Sequence, residues 1–275
     1  AQNNQANYSV AVGYESGLNN QSNFSVAIGN QAGQSNQNAS NVAIGYQAAQ
    51  SSQRTGSVAI GSETGQYAQN SQCIAIGSRA GQINQQESGI AIGPNAARLN
   101  QQTNAVAIGT LAGQSTQGVQ AIAIGQWAGE LRQSTNSIAI GVMAGSNAQQ
   151  DYAVAIGAAA GSVTQAKSAV AIGNLAGGTN QGIAAIAIGS NAGFTGQSNS
   201  AVAIGMAAGS NNQGTCAIAI GALAGQSSQP DYSIVLNASG SAINATRTGF
   251  FVNPINTDTN VQNRFLQYSA TNEIV

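Results

Sequence analysis

Apolar and polar residues follow one another along this chain with a fixed spacing of 16 residues. An apolar triplet such as Val26-Ala27-Ile28 occurs fourteen times between residues 9 and 232, and each time a glycine follows it. We number the repeat from the residue before the triplet, so that Val26 occupies position 2 and Gly29 position 5. β-Branched residues followed by a turn-forming glycine are typical of a short strand that ends in a turn.

The rest of the repeat indicates a second strand rather than a helix. Position 8 is Ala in all but two repeats, position 9 is Gly in all but two, and position 13 is always Gln. Two glycines per repeat would each weaken a helix by about 1 kcal/mol, and helical solenoid repeats span ~33 to 47 residues. We therefore predict an all-β parallel solenoid of about 15 coils, with strands near positions 1–4 and 10–14. Coils stacked at ~4.8 Å would form a rod of roughly 70 Å. The predicted turn glycines include Gly29, Gly33, Gly125, Gly129, Gly205 and Gly209.

Charged residues indicate which positions face solvent. In the fourteen repeats no charge occurs at positions 1–6, 8, 9, 11, 13 or 16. Because side chains alternate between the two faces of a strand, we expect positions 10, 12 and 14 to face solvent and positions 11 and 13 to point inward. Position 13 then forms an inward ladder of amides, each bonded to its neighbour or to a turn. Its members are Gln21, Gln37, Gln53, Gln69, Gln85, Gln101, Gln117, Gln133, Gln149, Gln165, Gln181, Gln197, Gln213 and Gln229.

The first strand of each repeat has no polar face. A strand of this kind is normally covered on both sides, so one face closes the coil and the other is expected to be buried against a partner. The simplest partner is a second copy of the chain. The sequence leaves open whether Val and Ile fill the coil while Ala meets the partner, or the reverse. The candidate interface and core residues are Val26, Ala27, Ile28, Ile122, Ala123, Ile124, Val202, Ala203 and Ile204.

Composition excludes several classes of function. The 275 residues include no His, only 5% are charged, and the net charge is −1. An average domain has about 25% charged residues, and a nucleic-acid-binding surface is basic. Without His there is no His-based catalysis, and no apolar run approaches the ~20 residues of a membrane-spanning helix. We expect a non-enzymatic, extracellular structural protein without cofactor, metal, nucleic-acid partner or membrane insertion.

The two cysteines and the scattered aromatic residues are the remaining candidates for chemistry or contact. Cys73 and Cys216 would lie roughly 40 Å apart along the stack, whereas a disulfide needs Cα atoms within about 7 Å. We therefore expect no disulfide within the chain. Cys73 is expected to be a buried free thiol or else to meet its own copies near a threefold axis. Exposed aromatic residues are candidates for contact with a receptor or glycan, or else they pack on neighbouring coils. These residues are Tyr14, Tyr46, Trp127 and Phe194.

The motif Ser25-Val26-Ala27-Ile28-Gly29, followed by Ala32-Gly33, resembles the head repeats of YadA-type trimeric autotransporter adhesins. The similarity covers residues 9–232 and recurs in every repeat. It implies a left-handed parallel β-roll that assembles as a homotrimer. The period of 16 is longer than in the most regular heads of that family, and the second half of the repeat differs from theirs.

The second half of the repeat and the C-terminal region resemble fibre proteins of giant viruses and tailed phages. We divide the chain into a solenoid of residues 1–237 and a C-terminal β-rich cap and trimerisation segment of residues 238–275. Residues 264–268 and 273–275 flank a polar turn and predict a hairpin. In such fibres a similar hairpin precedes a self-cleaving chaperone, so the resemblance implies that Val275 lies at or near a matured C-terminus.

Together these features predict a homotrimeric fibre on a cell or virion surface, used for projection and for attachment to an unknown receptor or glycan. One alternative is the subunit of a self-assembling extracellular filament whose rods join end to end. Another is an ice-binding solenoid. Ice binding requires a flat, regular ladder, usually of Thr, whereas positions 10, 12 and 14 are mixed in this chain.

Overall fold

The chain forms a parallel β-solenoid of about 16 coils with two short strands in each coil, as seen in a computed structural model that describes residues 3–255. The strands form one 16-stranded and one 12-stranded sheet, and the described residues contain no helix. The two sheets lie on opposite sides of a thin interior. The prediction of an all-β parallel solenoid is confirmed.

The apolar triplets form the 16-stranded sheet. Its strands are β2 (Val10–Val12), β4 (Val26–Ile28), β6 (Val42–Ile44), β8 (Val58–Ile60), β10 (Ile74–Ile76), β12 (Ile90–Ile92), β14 (Val106–Ile108), β16 (Ile122–Ile124), β18 (Ile138–Ile140), β20 (Val154–Ile156), β22 (Val170–Ile172), β24 (Ile186–Ile188), β25 (Val202–Ile204), β26 (Ile218–Ile220), β27 (Ile234–Asn237) and β28 (Phe250–Asn253). The 12-stranded sheet contains positions 11–13. Its strands are β1 (Asn3–Gln5), β3 (Asn19–Gln21), β5 (Ser35–Gln37), β7 (Ser51–Gln53), β9 (Tyr67–Gln69), β11 (Ile83–Gln85), β13 (Leu99–Gln101), β15 (Ser115–Gln117), β17 (Leu131–Gln133), β19 (Asn147–Gln149), β21 (Val163–Gln165) and β23 (Thr179–Gln181).

Each strand pairs in parallel with the strand one repeat later, so identical positions lie one above another. Val26 pairs with Val42 in this way. The same register continues past residue 237, because Ile234 of β27 pairs with Phe250 of β28. The backbone spacing therefore extends to Asn253, although Ala245 stands where earlier coils have Gln.

Burial decides which face of the triplet closes the coil. The central alanine of each triplet from Ala27 onwards is fully buried, whereas the flanking Val and Ile side chains point outward and are half-buried or exposed. Ile28, for example, is 38% exposed. The thin interior holds the methyl groups of positions 3 and 8 beside the Gln side chains of position 13, and these alanines form one continuous cluster from Ala75 to Ala224. Ala therefore fills the coil, and Val and Ile face away from it.

The second strand departs from the expected alternation of side chains. Position 12 adopts a left-handed conformation, with φ of 56° at Asn36 and 52° at Thr164. This single left-handed residue breaks the two-residue alternation, so position 11 turns outward while position 13 points inward. Leu131 and Val163 at position 11 are 39% and 40% exposed. The prediction that position 11 faces the interior is wrong for this reason.

Part of the predicted cap falls outside the described residues. The hairpin expected from residues 264–268 and 273–275 lies there, as does the expected matured C-terminus at Val275. In the described part of the cap, β28 adds a final strand to the 16-stranded sheet, and Ala245 is 4% exposed in the interior.

Candidate interaction surface and internal amide ladder

The outward Val and Ile residues form a continuous surface that we call the apolar strip. It consists of positions 2 and 4 of the 16-stranded sheet, from β2 to β27. Ile124 and Ile156 in its centre are each 36% exposed, and no polar residue interrupts the fourteen repeats. Adjacent strands in a sheet lie ~4.8 Å apart and outward neighbours on one strand ~6.7 Å apart, so the strip is a regular two-column grid. A contiguous apolar surface of this extent marks an interaction site in a soluble protein.

The predicted interface and core residues divide between the two faces of this sheet. Ala27, Ala123 and Ala203 point into the coil and are fully buried. The other six predicted residues belong to the apolar strip, and they are Val26, Ile28, Ile122, Ile124, Val202 and Ile204.

The glutamines of position 13 form a hydrogen-bonded column inside the solenoid. The Gln133 Nε2 atom donates to Gln149 Oε1 at 3.2 Å and to the Ile122 carbonyl oxygen at 2.7 Å. The Gln133 Oε1 atom accepts from Gln117 Nε2 at 3.2 Å. Twelve such amide-to-amide bonds of 3.0–3.2 Å run without a break from Gln37 to Gln229. The column therefore joins successive coils through side chains as well as through the backbone.

The amide ladder ends differently at its two ends. Gln21 Nε2 donates to the Val10 and Ser25 carbonyl oxygens, and the Oε1 atoms of Gln21 and Gln37 are buried without a hydrogen-bond donor. At the other end, Gln229 accepts from Gln213 and donates to two backbone carbonyl oxygens, and Ala245 follows at the next position 13. The N-terminal coils are therefore the only part of the described ladder with unpaired amide oxygens.

Neighbouring atoms approach both turn glycines closely, but only position 5 is Gly in every repeat. At position 5, a Cβ added to Gly125 would lie 2.7 Å from the carbonyl oxygen of Gly141 in the next coil. At position 9, a Cβ on Gly129 would lie 2.6 Å from Gln133 Oε1. The first contact is with backbone and the second with a side chain. The same pairs of contacts recur at Gly29 and Gly33 and at Gly205 and Gly209.

A second amide row, which the sequence did not predict, runs along position 10. Gln66 and Gln82 are only 5% and 7% exposed, so the expectation that position 10 faces solvent is wrong for these coils. Gln50 Nε2 donates to Gln34 Oε1 at 3.2 Å, Gln66 to Gln50 at 3.1 Å and Gln82 to Gln66 at 3.0 Å. Arg98 Nε donates to Gln82 Oε1 at 3.0 Å and ends the row. The available signal was the recurrence of Gln at position 10 in four consecutive coils.

Charged side chains beside this row form hydrogen bonds or an ion pair with neighbouring side chains. The Gln31 amide donates to Glu15 Oε2 at 2.9 Å, and this bond, together with one from Tyr14, lowers the pKa of the Glu15 carboxyl. The Arg79 Nε atom lies 2.9 Å from Glu63 Oε2, which raises the pKa of the guanidinium. These are exposed, local interactions of the kind that contribute little to stability.

The four aromatic candidates are not equivalent. Tyr14 and Tyr46 are 67% and 50% exposed at position 6, so their rings are available to a ligand. Trp127 and Phe194 are half-buried. The Phe194 ring packs on the backbone at Gly178, where an added Cβ would lie 2.8 Å from the ring.

The two cysteines are free and lie in contrasting environments. Cys73 is fully buried at position 1, and its thiol donates to the Gln86 carbonyl oxygen at 2.9 Å. Burial raises the pKa of the Cys73 thiol to about 11. Cys216 is exposed at position 16.

We expect an aromatic disulfide reagent to modify one thiol per native chain at pH 8. Cys216 should react rapidly, because it is exposed. Cys73 should react only after unfolding, because it is buried and its raised pKa leaves almost no thiolate at this pH. Absorbance of the released aromatic thiolate measures the number of reactive thiols per chain. The Cys216→Ser variant is the control, and it should have no fast-reacting thiol. Two fast thiols in the native wild-type chain would contradict the buried position of Cys73.

Residues 3–255 contain no cluster of three or more His, Cys, Asp or Glu side chains suited to a metal ion. No helix in that range is long and apolar enough to cross a membrane. Comparison with family models, with curated proteins and with solved structures gives no match to this chain. The apolar strip is thus the feature from which a function is best argued.

Proposed function

We propose that this chain is a non-enzymatic structural fibre, a rod that assembles as a homotrimer through the apolar strip. The observation that carries the proposal is the uninterrupted exposure of Val and Ile along one face of the 16-stranded sheet. The opposite face of the rod presents polar and mixed side chains at positions 11 and 12. The apolar strip is therefore the face expected to be buried against a partner.

The magnitude of the burial favours self-association. An Ile that is 36% exposed gains about 0.5–1 kcal/mol when the rest of its surface is buried. Fourteen repeats provide two outward side chains each, of which those at position 2 are the less exposed, and their summed gain is of the same order as the ~4–15 kcal/mol that association costs in lost translational and rotational freedom. A closed cyclic arrangement with the strips around a common axis covers every strip at once.

The number of copies and the hand of the coil follow from the resemblance to YadA-type heads and to viral and phage fibres. We propose three copies, each a left-handed β-roll, on a cell or virion surface. Such a rod acts as a spacer that projects from the surface, and the trimer presents each exposed residue in three copies. Tyr14 and Tyr46, exposed at position 6, are the proposed contacts for a receptor or glycan. Multiple weak contacts then give a large combined affinity.

A charge-insertion experiment tests the strip as the interface. Three lysines in successive coils of the strip should convert the assembly to monomers, because they bring like charges together in a dry interface. Three lysines on the opposite sheet of the same coils should leave it intact. The strip variant is I140K/I156K/I172K and the control is N147K/V163K/T179K.

The native mass of both variants, measured by sedimentation velocity, distinguishes the outcomes. A monomeric mass for the strip variant together with a trimeric mass for the control supports the proposal. Equal masses for the two variants would contradict it, as would dissociation of the control alone. Large polymers in the control would favour the end-to-end filament instead.

A further inference from the structure

Two of the exposed tyrosines lie in line along the rod, at the turn after the apolar triplet. Tyr14 and Tyr46 both occupy position 6, two coils apart, with Asn30 between them. The Gln31 backbone N–H donates to the Tyr14 carbonyl oxygen at 2.8 Å, and the Gln47 N–H donates to the Asn30 carbonyl oxygen at 2.9 Å. The turns of successive coils therefore stack directly, and two strand spacings separate the backbones of the tyrosines by about 9.6 Å.

Both tyrosine rings have surface left for a ligand. Tyr14 is 67% exposed and Tyr46 is 50% exposed. Among residues 3–255 the stacked aromatic pair is Tyr8 with Phe24, on a different turn, so neither ring is covered by a second aromatic ring in that part of the chain. Position 6 carries no other aromatic residue in the fourteen repeats, so each chain has one such pair.

A row of amides runs beside the two rings, at position 7. The Gln31 Nε2 atom donates to Glu15 Oε2 at 2.9 Å, and the Gln47 Nε2 atom donates to Gln31 Oε1 at 2.8 Å. Each Nε2 atom carries a second N–H, which these bonds leave for another acceptor. The row thus fixes the two amides and still offers donors to a ligand that lies along the turns.

The charge of this region favours an uncharged ligand. Glu15 is the only charged residue among residues 1–53. Its Oε2 atom accepts hydrogen bonds from Gln31 at 2.9 Å and from Gln34 at 2.8 Å, so the carboxylate is already bonded. An anionic ligand would need Lys or Arg at this surface, and a cationic ligand would compete with two amides for a single carboxylate.

An extended sugar chain has the chemistry that this row would recognise. The C–H face of a pyranose ring packs on an aromatic ring, and its hydroxyl groups bond to amides. In an extended β-1,4-linked chain successive rings are turned over, so that every second ring presents the same face. The distance between such alternate rings is close to the distance between Tyr14 and Tyr46. The ring between them would then lie beside Asn30.

We propose that the turns from Tyr14 to Gln47 bind an uncharged, extended β-1,4-linked glycan that runs parallel to the rod. Tyr14 and Tyr46 stack on alternate sugar rings, and the amides of position 7 donate to hydroxyl oxygens of the chain. This inference rests on the proposed attachment role and names the class of ligand for it. The proposed trimer carries the site three times, so a surface that bears many such chains is held by several weak contacts at once.

The spacing of the two rings distinguishes this glycan from other occupants. A protein receptor can contact two tyrosines at any separation and gains nothing from a strict interval of two coils. An α-1,4-linked glucan coils, so its rings do not present one face at a regular distance along a straight line. The hydrogen-bonded stack of turns keeps both tyrosines at the same lateral position on the rod, which suits a straight chain.

Titration calorimetry of the full chain with soluble hexasaccharides tests the site. We expect the β-1,4-linked cellohexaose or chitohexaose to bind, and the α-1,4-linked maltohexaose to bind about tenfold more weakly. Comparison of the first two sugars shows which substituent at C2 the site accepts. The variants Y14A and Y46A should each bind about tenfold more weakly than wild type, because each loses one stacking contact. Tyr232→Ala, at an exposed tyrosine of position 16, is the matched control and should bind as wild type does.

A shifted tyrosine tests the spacing itself. The variant N30Y/Y46N keeps two tyrosines at position 6 but places them one coil apart, and it should bind as weakly as Y46A. Wild-type affinity for this variant, or equal affinity for maltohexaose, would overturn the proposed alignment. A trimeric wild-type chain that binds neither β-1,4-linked sugar would overturn the glycan site, favour a protein receptor and leave the fibre proposal intact. A monomeric chain that binds them, with the expected loss in Y14A and Y46A, would support the site and contradict the assembly.

Discussion

Replacement of Gly125 by Ala is expected to destabilise the solenoid by about 4 kcal/mol, because the new methyl group meets backbone that cannot move. The added Cβ would lie 2.7 Å from the carbonyl oxygen and 2.8 Å from the carbonyl carbon of Gly141. Gly125 also has φ of +125°, a conformation that residues with a Cβ rarely adopt. The sequence agrees, since position 5 is Gly in all fourteen repeats while position 9 twice accepts Ala.

Gly56→Ala is the matched control for the cost of the backbone conformation alone. Gly56 has φ of +73°, and an added Cβ would meet only Gln72 Cγ at 4.0 Å. Its neighbours in the same column, Ser40 and Gln72, hold φ of 60° with side chains present. We expect this change to cost about 1 kcal/mol or less. Denaturant unfolding followed by circular dichroism measures both variants, and equal losses would contradict the role given to coil-to-coil approach.

Replacement of Gln133 by Leu is expected to cost about 3–5 kcal/mol, because it removes a link from the buried amide column. The Leu side chain has a similar volume but leaves Gln149 Oε1 without its donor and the Ile122 carbonyl oxygen without its side-chain bond. Gln117 Nε2 loses an acceptor as well. Each buried polar group left unpaired costs about 1–3 kcal/mol.

Gln21→Leu provides the comparison at the open end of the same column. Gln21 Oε1 is already unpaired, and its Nε2 bonds only to backbone carbonyl oxygens. The change therefore breaks no amide-to-amide bond, and we expect it to cost less than half as much as Gln133→Leu. Thermal unfolding of the two variants side by side gives the ratio. Equal costs would mean that the amide-to-amide bonds do not contribute to stability.

The fold was predictable from sequence because it depends on a local motif and on the constant spacing of that motif. Val26 and Ile28 on either side of Ala27, with Gly29 next, set the strand and its turn, and the constant period sets the stacking. The inward direction of Gln37 followed from the absence of charge at its position. These inferences required only strand alternation and the cost of burying charge.

Other features depended on the shape of the interior or on unusual backbone. The sequence did not show which face of the triplet points into the coil, because both faces are apolar. The narrow space between the two sheets determines the direction, since it accommodates Ala27 but not Ile28. Position 11 was expected to point inward because it carries no charge and side chains alternate along a strand. The left-handed residues at position 12, such as Asn36 and Thr164, break that alternation. The row of position 10 from Gln34 to Gln82 was not predicted, because each residue is ordinary alone and only the stacking of coils joins the amides.

The native mass of the wild-type chain, determined by light scattering before and after prolonged exposure to denaturant, tests the apolar strip as an interface most directly. The proposed assembly predicts three times the 27.3 kDa chain mass and resistance to dissociation. A stable species of 27.3 kDa would contradict it, because the Val and Ile columns would then remain in water along the whole rod.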